Sequence, residues 1–144
     1  MVLRAMRIAA LVLVAAGFIF AGTIHAQQRP HCFENAGLKD LVRISYATDN
    51  AGGRNFIRGA ITVEREYDAA RQERFPFTGK LSGITLNIRF AANVAPEFIP
   101  PKRESHSWQL IPDGGRQSLQ VEQYGRNYDS GNYANYMATY TPCG

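Results

Sequence analysis

From Leu41 onward, apolar and polar residues alternate with period two in short runs separated by turn-forming clusters, which is the pattern of antiparallel strands with one dry and one wet face. In Leu41-Val42-Arg43-Ile44-Ser45-Tyr46 the side chains of Val42, Ile44 and Tyr46 oppose Arg43 and Ser45. The run ends at Thr48-Asp49-Asn50-Ala51-Gly52-Gly53, where glycine supplies the positive backbone angles a reversal needs. Phe56 to Glu66 sets Ile57, Gly59, Ile61 and Val63 against Arg58, Thr62, Glu64 and Glu66, so one face is buried and one is wet. Tyr67 to Arg74 is too short for a stable helix and reads as a connection. Phe75 to Leu81 and Ile84 to Phe90 flank Ser82-Gly83, a tight-turn candidate, with Leu86, Ile88 and Phe90 sharing a face. Pro76 removes a ladder donor, so its strand is expected to begin after it or to lie at an edge.

Ala91 to Ser105 is the longest irregular piece, because Pro96, Pro100 and Pro101 exclude regular structure. Its apolar members Val94, Phe98 and Ile99 either cover a cavity mouth or cap an exposed end of the core. His106 to Leu110 and Ser118 to Glu122 form a hairpin around Pro112-Asp113-Gly114-Gly115, and a last strand runs from about Tyr133 to Thr141. Seven sequential strands without a helix long enough for a parallel crossover predict an all-β antiparallel meander. It closes into a barrel, with a two-sheet sandwich as the alternative.

Before these strands, Arg4 and Arg7 precede the apolar run Ile8 to Gly22, followed by Thr23-Ile24-His25-Ala26 and the polar Gln27-Gln28-Arg29-Pro30. Basic, apolar and small-residue regions in that order predict a secretory signal peptide over residues 1–26, cut after Ala26. The run falls short of the about 20 residues of a spanning helix. Cys32 is not set for acylation, so neither stable membrane insertion nor a lipid anchor is expected, and the location is periplasmic or secreted. Removal of 26 of 144 residues leaves 118, enough for a single β domain over 27–144.

Charge changes the picture little. The formal +4 of the full chain falls to +2 once Arg4 and Arg7 leave, with 14 basic against 12 acidic residues. Along the sequence Arg43, Arg54, Arg58, Arg65, Arg71 and Arg74 are interspersed with Glu64, Glu66, Asp68 and Glu73, and no single-sign stripe for nucleic acid stands out.

Two cysteines, Cys32 and Cys143, in an exported chain predict one disulfide that staples the first and last parts of the domain. Closing a loop that long contributes about 4 kcal/mol in the chain-entropy model. A redox role is not expected, since catalytic pairs sit close in sequence.

Chemistry-bearing clusters are sparse. The exported part has only His31 and His106, no Gly-x-Ser-x-Gly elbow, and no His-x-His, His-Glu-x-x-His or paired-cysteine ligand set, so neither a catalytic site, a metal nor a cofactor is expected. Asp49 to Gly53 and Asp113 to Gly115 lack the alternating acids of calcium loops and read as turns. Glu64 and Glu66 share the wet face of one strand.

The most distinctive exported feature is the run from Tyr124 to Tyr136. In it Tyr124, Tyr128, Tyr133 and Tyr136 are interleaved with Asn, Ser and Gly, the residue types from which adaptable recognition surfaces are built. The resulting expectation is a non-enzymatic envelope binding module that uses these tyrosines on an unidentified protein or glycan partner, for example as an inhibitor of a hydrolase. The alternative is a carrier of a small apolar ligand inside the barrel. In that guise the meander resembles the lipocalins in outline, although the early Gly-x-Trp of that family is absent and Trp108 is the sole tryptophan. A core crowded with Tyr46, Phe77, Phe90 and Trp108 favours the module; an open apolar interior favours the carrier.

Intact-mass measurement of the protein recovered from outside the cytoplasm is expected to give a chain beginning at Gln27. A mass retaining Met1 to Ala26 in the membrane fraction would make the apolar run an anchor.

Overall fold

A computed structural model describes residues 29–144, and the segment read as a signal peptide, residues 1–26, lies outside them. Eight strands follow one another: β1 (His31–Ala36), β2 (Asp40–Thr48), β3 (Phe56–Arg65), β4 (Gln72–Ser82), β5 (Thr85–Phe90), β6 (His106–Asp113), β7 (Arg116–Arg126) and β8 (Tyr133–Pro142). Each is antiparallel to the next, and β8 returns to β1, so the sheet is a closed barrel and not a sandwich. The strand count is eight where the sequence pattern predicts seven. The added strand is β1, whose single strong apolar residue, Phe33, leaves almost no period-two signal.

Register confirms the faces expected for β2, β3 and β5. Val42, Ile44 and Tyr46 lie opposite Val63, Ile61 and Gly59, and Ile57, Gly59 and Ile61 lie opposite Gly79, Phe77 and Phe75. These inward rows meet Leu86, Ile88, Trp108, Leu119, Val121 and Tyr140 in one core. Gly59 is required by a close approach: a Cβ there would stand 2.6 Å from the Phe77 ring and 2.3 Å from the Ser45 carbonyl oxygen. Trp108 is fully buried, with Phe77 and Phe90 packed edge-to-face against it at 5.4 and 6.3 Å. Truncating it to alanine would cost about 3–5 kcal/mol.

Pro76 lies within β4 instead of before it. Opposite Ala60 it is paired with β3, but β5 reaches only Phe90, opposite Phe77, so the missing N–H falls where β4 has no second partner. The connection from Tyr67 is correspondingly shorter, because β4 starts at Gln72 and only Ala69–Arg71 forms a 3-10 turn. The β4–β5 turn is Gly83-Ile84, one residue later than expected, with Gly83 at φ 59°. Gly114 and Gly115, at φ 54° and 82°, supply both positive angles of the two-residue β6–β7 turn.

Polar residues face out and apolar residues in, the reverse of a lipid-facing barrel. Among the described residues no helix is long and apolar enough to cross a membrane.

The seam between β1 and β8 has only two register pairs, Phe33 with Pro142 and Glu34 with Thr141. Next to them the Cys32–Cys143 disulfide spans 5.4 Å between Cα atoms, and the Cys143 N–H donates to the Cys32 carbonyl at 3.0 Å. The double variant Cys32→Ser/Cys143→Ser is expected to lose about 4 kcal/mol, a fall of roughly 10 to 20 °C in calorimetric midpoint. An unchanged midpoint would mean that the seam closes without the bond.

Candidate functional site

A meander puts alternate connections at the same end of the barrel. One end carries the β1–β2 turn (37–39), the β3–β4 connection (66–71), the β5–β6 loop (91–105) and the β7–β8 turn (127–132). Of the eight large apolar side chains left exposed among the described residues, six lie there: Leu38, Tyr67, Val94, Tyr128, Tyr133 and Tyr136. Ile84 marks the other end, and Met137 lies on the outer wall of β8.

Backbone conformation differs between the ends. Glu66, Tyr67, Ala92, Asn93 and Lys102 adopt positive φ at this end beside a single glycine, Gly131, whereas the opposite end meets that need with Gly53, Gly83, Gly114 and Gly115, plus Asn55. The Glu66-Tyr67 reversal is held from three sides. The Glu66 N–H donates to Asp40 Oδ1 at 2.9 Å, the Tyr67 hydroxyl donates to the Gly37 carbonyl, and Arg71 pairs with Glu66 at 2.8 Å.

The structure does not bring the four tyrosines into one surface. Tyr128 stands at the tip of the β7–β8 turn, 97% exposed. The turn beneath it is ordered by Asn127, whose Oδ1 accepts from the Asp129 N–H at 2.8 Å and the Ser130 N–H at 3.2 Å. Tyr124 and Tyr133 stack on the outer wall with centroids 5.4 Å apart. Tyr136 is on the inward face: its hydroxyl donates to Gln123 Oε1 at 2.9 Å, and Gln123 Nε2 donates in turn to the hydroxyl of buried Tyr140. Burial pushes the Tyr140 hydroxyl well above its usual range.

The 91–105 loop both caps the core and borders a recess. Ile99 is buried in the core, Phe98 packs against it, and the Phe98 carbonyl accepts from the Tyr124 N–H at 2.7 Å, while Val94 is exposed. Two ion pairs pin the loop: Glu97 to Arg65 at 3.1 Å, and Arg103 to Glu122. Arg65 also reaches Asp40 at 3.0 Å and Glu73 at 3.2 Å, tying β2, β3, β4 and the loop at one point. Its carboxylate partners, Glu73 first, raise the guanidinium pKa further. The Glu66 N–H, ahead of Arg65, holds the Asp40 carboxyl below its usual range.

Between loop and barrel lies a recess of about 300 Å³ whose floor includes Phe90 and His106. His106 is 7% exposed, meets Phe90 edge-on at 5.5 Å, and has no hydrogen-bond partner among the described residues. Burial, then the nearby Arg103 cation, lowers its pKa, and Glu122 opposes them. No carboxylate orients the ring as a general base would need. His31 is at the other end of the barrel, stacked on Tyr46 at 4.9 Å. Among the described residues no three acidic, histidine or cysteine side chains gather to hold a metal ion.

Sequence reasoning singles out the 91–105 loop and the tyrosine run but misses Leu38 and Tyr67. No protein-family model, curated protein or solved structure matches the chain.

His106 is expected to titrate below the usual imidazole value of about 6.5, followed by the NMR shift of its Cε1 proton. Because the folded pKa lies below the unfolded one, the stability contributed by the neutral ring is present above about pH 6.5 and lost as pH falls through the folded value. Arg103→Gln removes the cation, leaves Glu122, and should move the titration upward; a downward move would contradict the assignment.

Proposed function

We propose that this protein is an exported, non-enzymatic binding module whose loop-bearing barrel end, with Tyr128 at its tip, inserts into a cleft of a protein partner in the envelope. A blocked hydrolase cleft is the form of partner that fits a protruding aromatic tip best. The observation that carries this reading is the concentration of exposed apolar side chains at one end of a barrel whose interior is filled. Tyr46, Phe77, Phe90 and Trp108 are all buried, which weighs against a carrier with ligand in the barrel lumen.

Interface energy concentrates in a few aromatic anchors held in place before contact. Tyr128 meets that description, since its turn is fixed by five hydrogen bonds of its own: the two into Asn127 Oδ1, the Gly131 N–H to the Asn127 carbonyl and the Asn127 N–H to the Asn132 carbonyl, both at 2.8 Å, and the Asn132 N–H to Ser130 Oγ at 3.3 Å. Leu38, Tyr67 and Val94 supply further apolar contact from neighbouring turns. Tyr124 and Tyr133 are placed to support the flank of the contact, and Tyr136 works from inside the mouth through Gln123.

Photo-crosslinking residues placed at 38 and 128 are expected to capture one and the same envelope protein, and one at 84, at the opposite end, to capture none. Tyr128→Ala should then weaken binding of that partner more than tenfold without changing the melting midpoint, about 1.4 kcal/mol or more. Unchanged affinity in the folded variant, or capture from position 84, would move the contact elsewhere.

A further inference from the structure

Pairing sorts the charges of this chain in a way their order in the sequence conceals. On the outer wall of β3, β4 and β5, register sets Arg58, Thr78 and Arg89 side by side in one row and Lys80 beside Asn87 in a neighbouring row. Arg74, opposite Thr62, continues the outward face along β4. The acids that neighbour these cations in sequence go elsewhere: Glu64 pairs with Arg43, Glu66 with Arg71, and Glu73 with Arg65. Arg58 has Asp49 at 3.0 Å, but Arg74, Lys80 and Arg89 have no acidic partner among the described residues. All four cations are exposed.

We propose that this wall is a second binding site, for an extended anionic polysaccharide. The site lies on the outer wall, reaches the loop-bearing end at Arg74, Arg89 and Ser105, and shares no residue with the exposed apolar set of the proposed protein contact.

Three properties of the wall select the ligand. Its remaining outward residues include Thr62, Thr78 and Asn87, continued on neighbouring β6 by Ser107 and Gln109, hydroxyl and amide groups that exchange hydrogen bonds with sugar hydroxyls. No large apolar side chain is exposed on it, so it lacks the aromatic and aliphatic anchors of a protein interface, the apolar face that enters a lipid surface, and the stacking platforms of a single-stranded nucleic-acid groove. Its geometry suits a chain: Arg58 and Arg89 are two strand spacings apart, roughly 10 Å, and Arg74 to Lys80 covers roughly 20 Å along β4. Beside the row, Phe56, Thr78, Lys80, Asn87, Arg89 and Ser105 border a recess of about 480 Å³, roomy enough for a sugar ring. The Phe56 ring is itself packed over Gly52, where a Cβ would come within 2.0 Å of it, so it forms a wall of the recess and not an open platform.

Titration calorimetry with polygalacturonate oligomers tests the site, with the fully methyl-esterified oligomers as an uncharged control on the same backbone. Binding is expected only to the acid form, weakening on the order of ten- to a hundredfold between about 50 and about 200 mM salt as counterions are displaced. Arg74→Gln/Lys80→Gln/Arg89→Gln should lower affinity at least tenfold. Arg29→Gln/Lys39→Gln/Arg116→Gln removes the same net charge elsewhere and should leave affinity within about twofold. Equal loss in both triple variants would reduce the effect to net charge and overturn the site. So would absence of binding to the oligomers, or preferential binding to duplex DNA or phosphatidylglycerol vesicles. Tyr128→Ala should not alter this binding, which separates failure of this site from failure of the protein contact.

Discussion

Closure at the β1–β8 seam is the constraint on which the rest of this barrel depends. β2 and β3 share nine register pairs, but β1 and β8 share two, so the sheet is joined most weakly at the point that makes it a barrel. Without closure, both strands would be edges with unpaired backbone groups, and Phe33 and Tyr140 would lose their cover. The Cys32–Cys143 bond lies where the ladder is shortest, reinforced by the Asn35 side chain donating to the Thr139 carbonyl at 3.0 Å. Holding the two ends of the domain together supplies by covalent chemistry what two residue pairs supply poorly. The inward rows of all eight strands can then share one core.

This explains which parts of the fold were legible in the sequence. β2, β3 and β5 announce themselves through local alternation, because each has one face packed on the core and the other in water. β1 does not: His31-Cys32-Phe33-Glu34-Asn35-Ala36 has one strong apolar residue, and its conformation is fixed by partners on β2 and β8, the latter more than 100 positions away. The same limit applies to Pro76. A strand containing proline is tolerated because β5 stops one residue short of pairing with it, a matter of strand lengths that no local window reports.

The candidate site was legible only in part, for a related reason. Parity of connections in a meander already places the 91–105 loop and the tyrosine run at one end. Leu38 joins them only once β1 exists. The tyrosines look equivalent in sequence, yet alternation sends Tyr136 inward and Tyr133 outward from the same strand, and the turn lifts Tyr128 away from both. Charge suffered the opposite distortion. Arg58, Arg74, Lys80 and Arg89 read as diluted by intervening acids, but pairing across three strands lines up the cations and turns the acids toward other partners.

A filled core leaves the outside of this barrel as its accessible surface, and backbone conformation differs between its two ends. Left-handed conformations cost a residue with a Cβ about 1 kcal/mol or more, and glycine avoids that cost. At one end the chain takes the inexpensive solution at Gly53, Gly83, Gly114 and Gly115, with Asn55 the exception; at the other it takes it at Gly131 but keeps Glu66, Tyr67, Ala92, Asn93 and Lys102 in the left-handed region. Stability alone would favour glycine at both ends, so side chains retained against that preference must contribute something glycine cannot. For Glu66 and Tyr67 the contribution is visible, since their bonds to Arg71 and Gly37 fix the turn. Ala92, Asn93 and Lys102 have no comparable internal partner, and Asn93 and Lys102 line the recess above His106. Their strain is accounted for if the loop presents a defined shape outward, which is what a recognition surface requires.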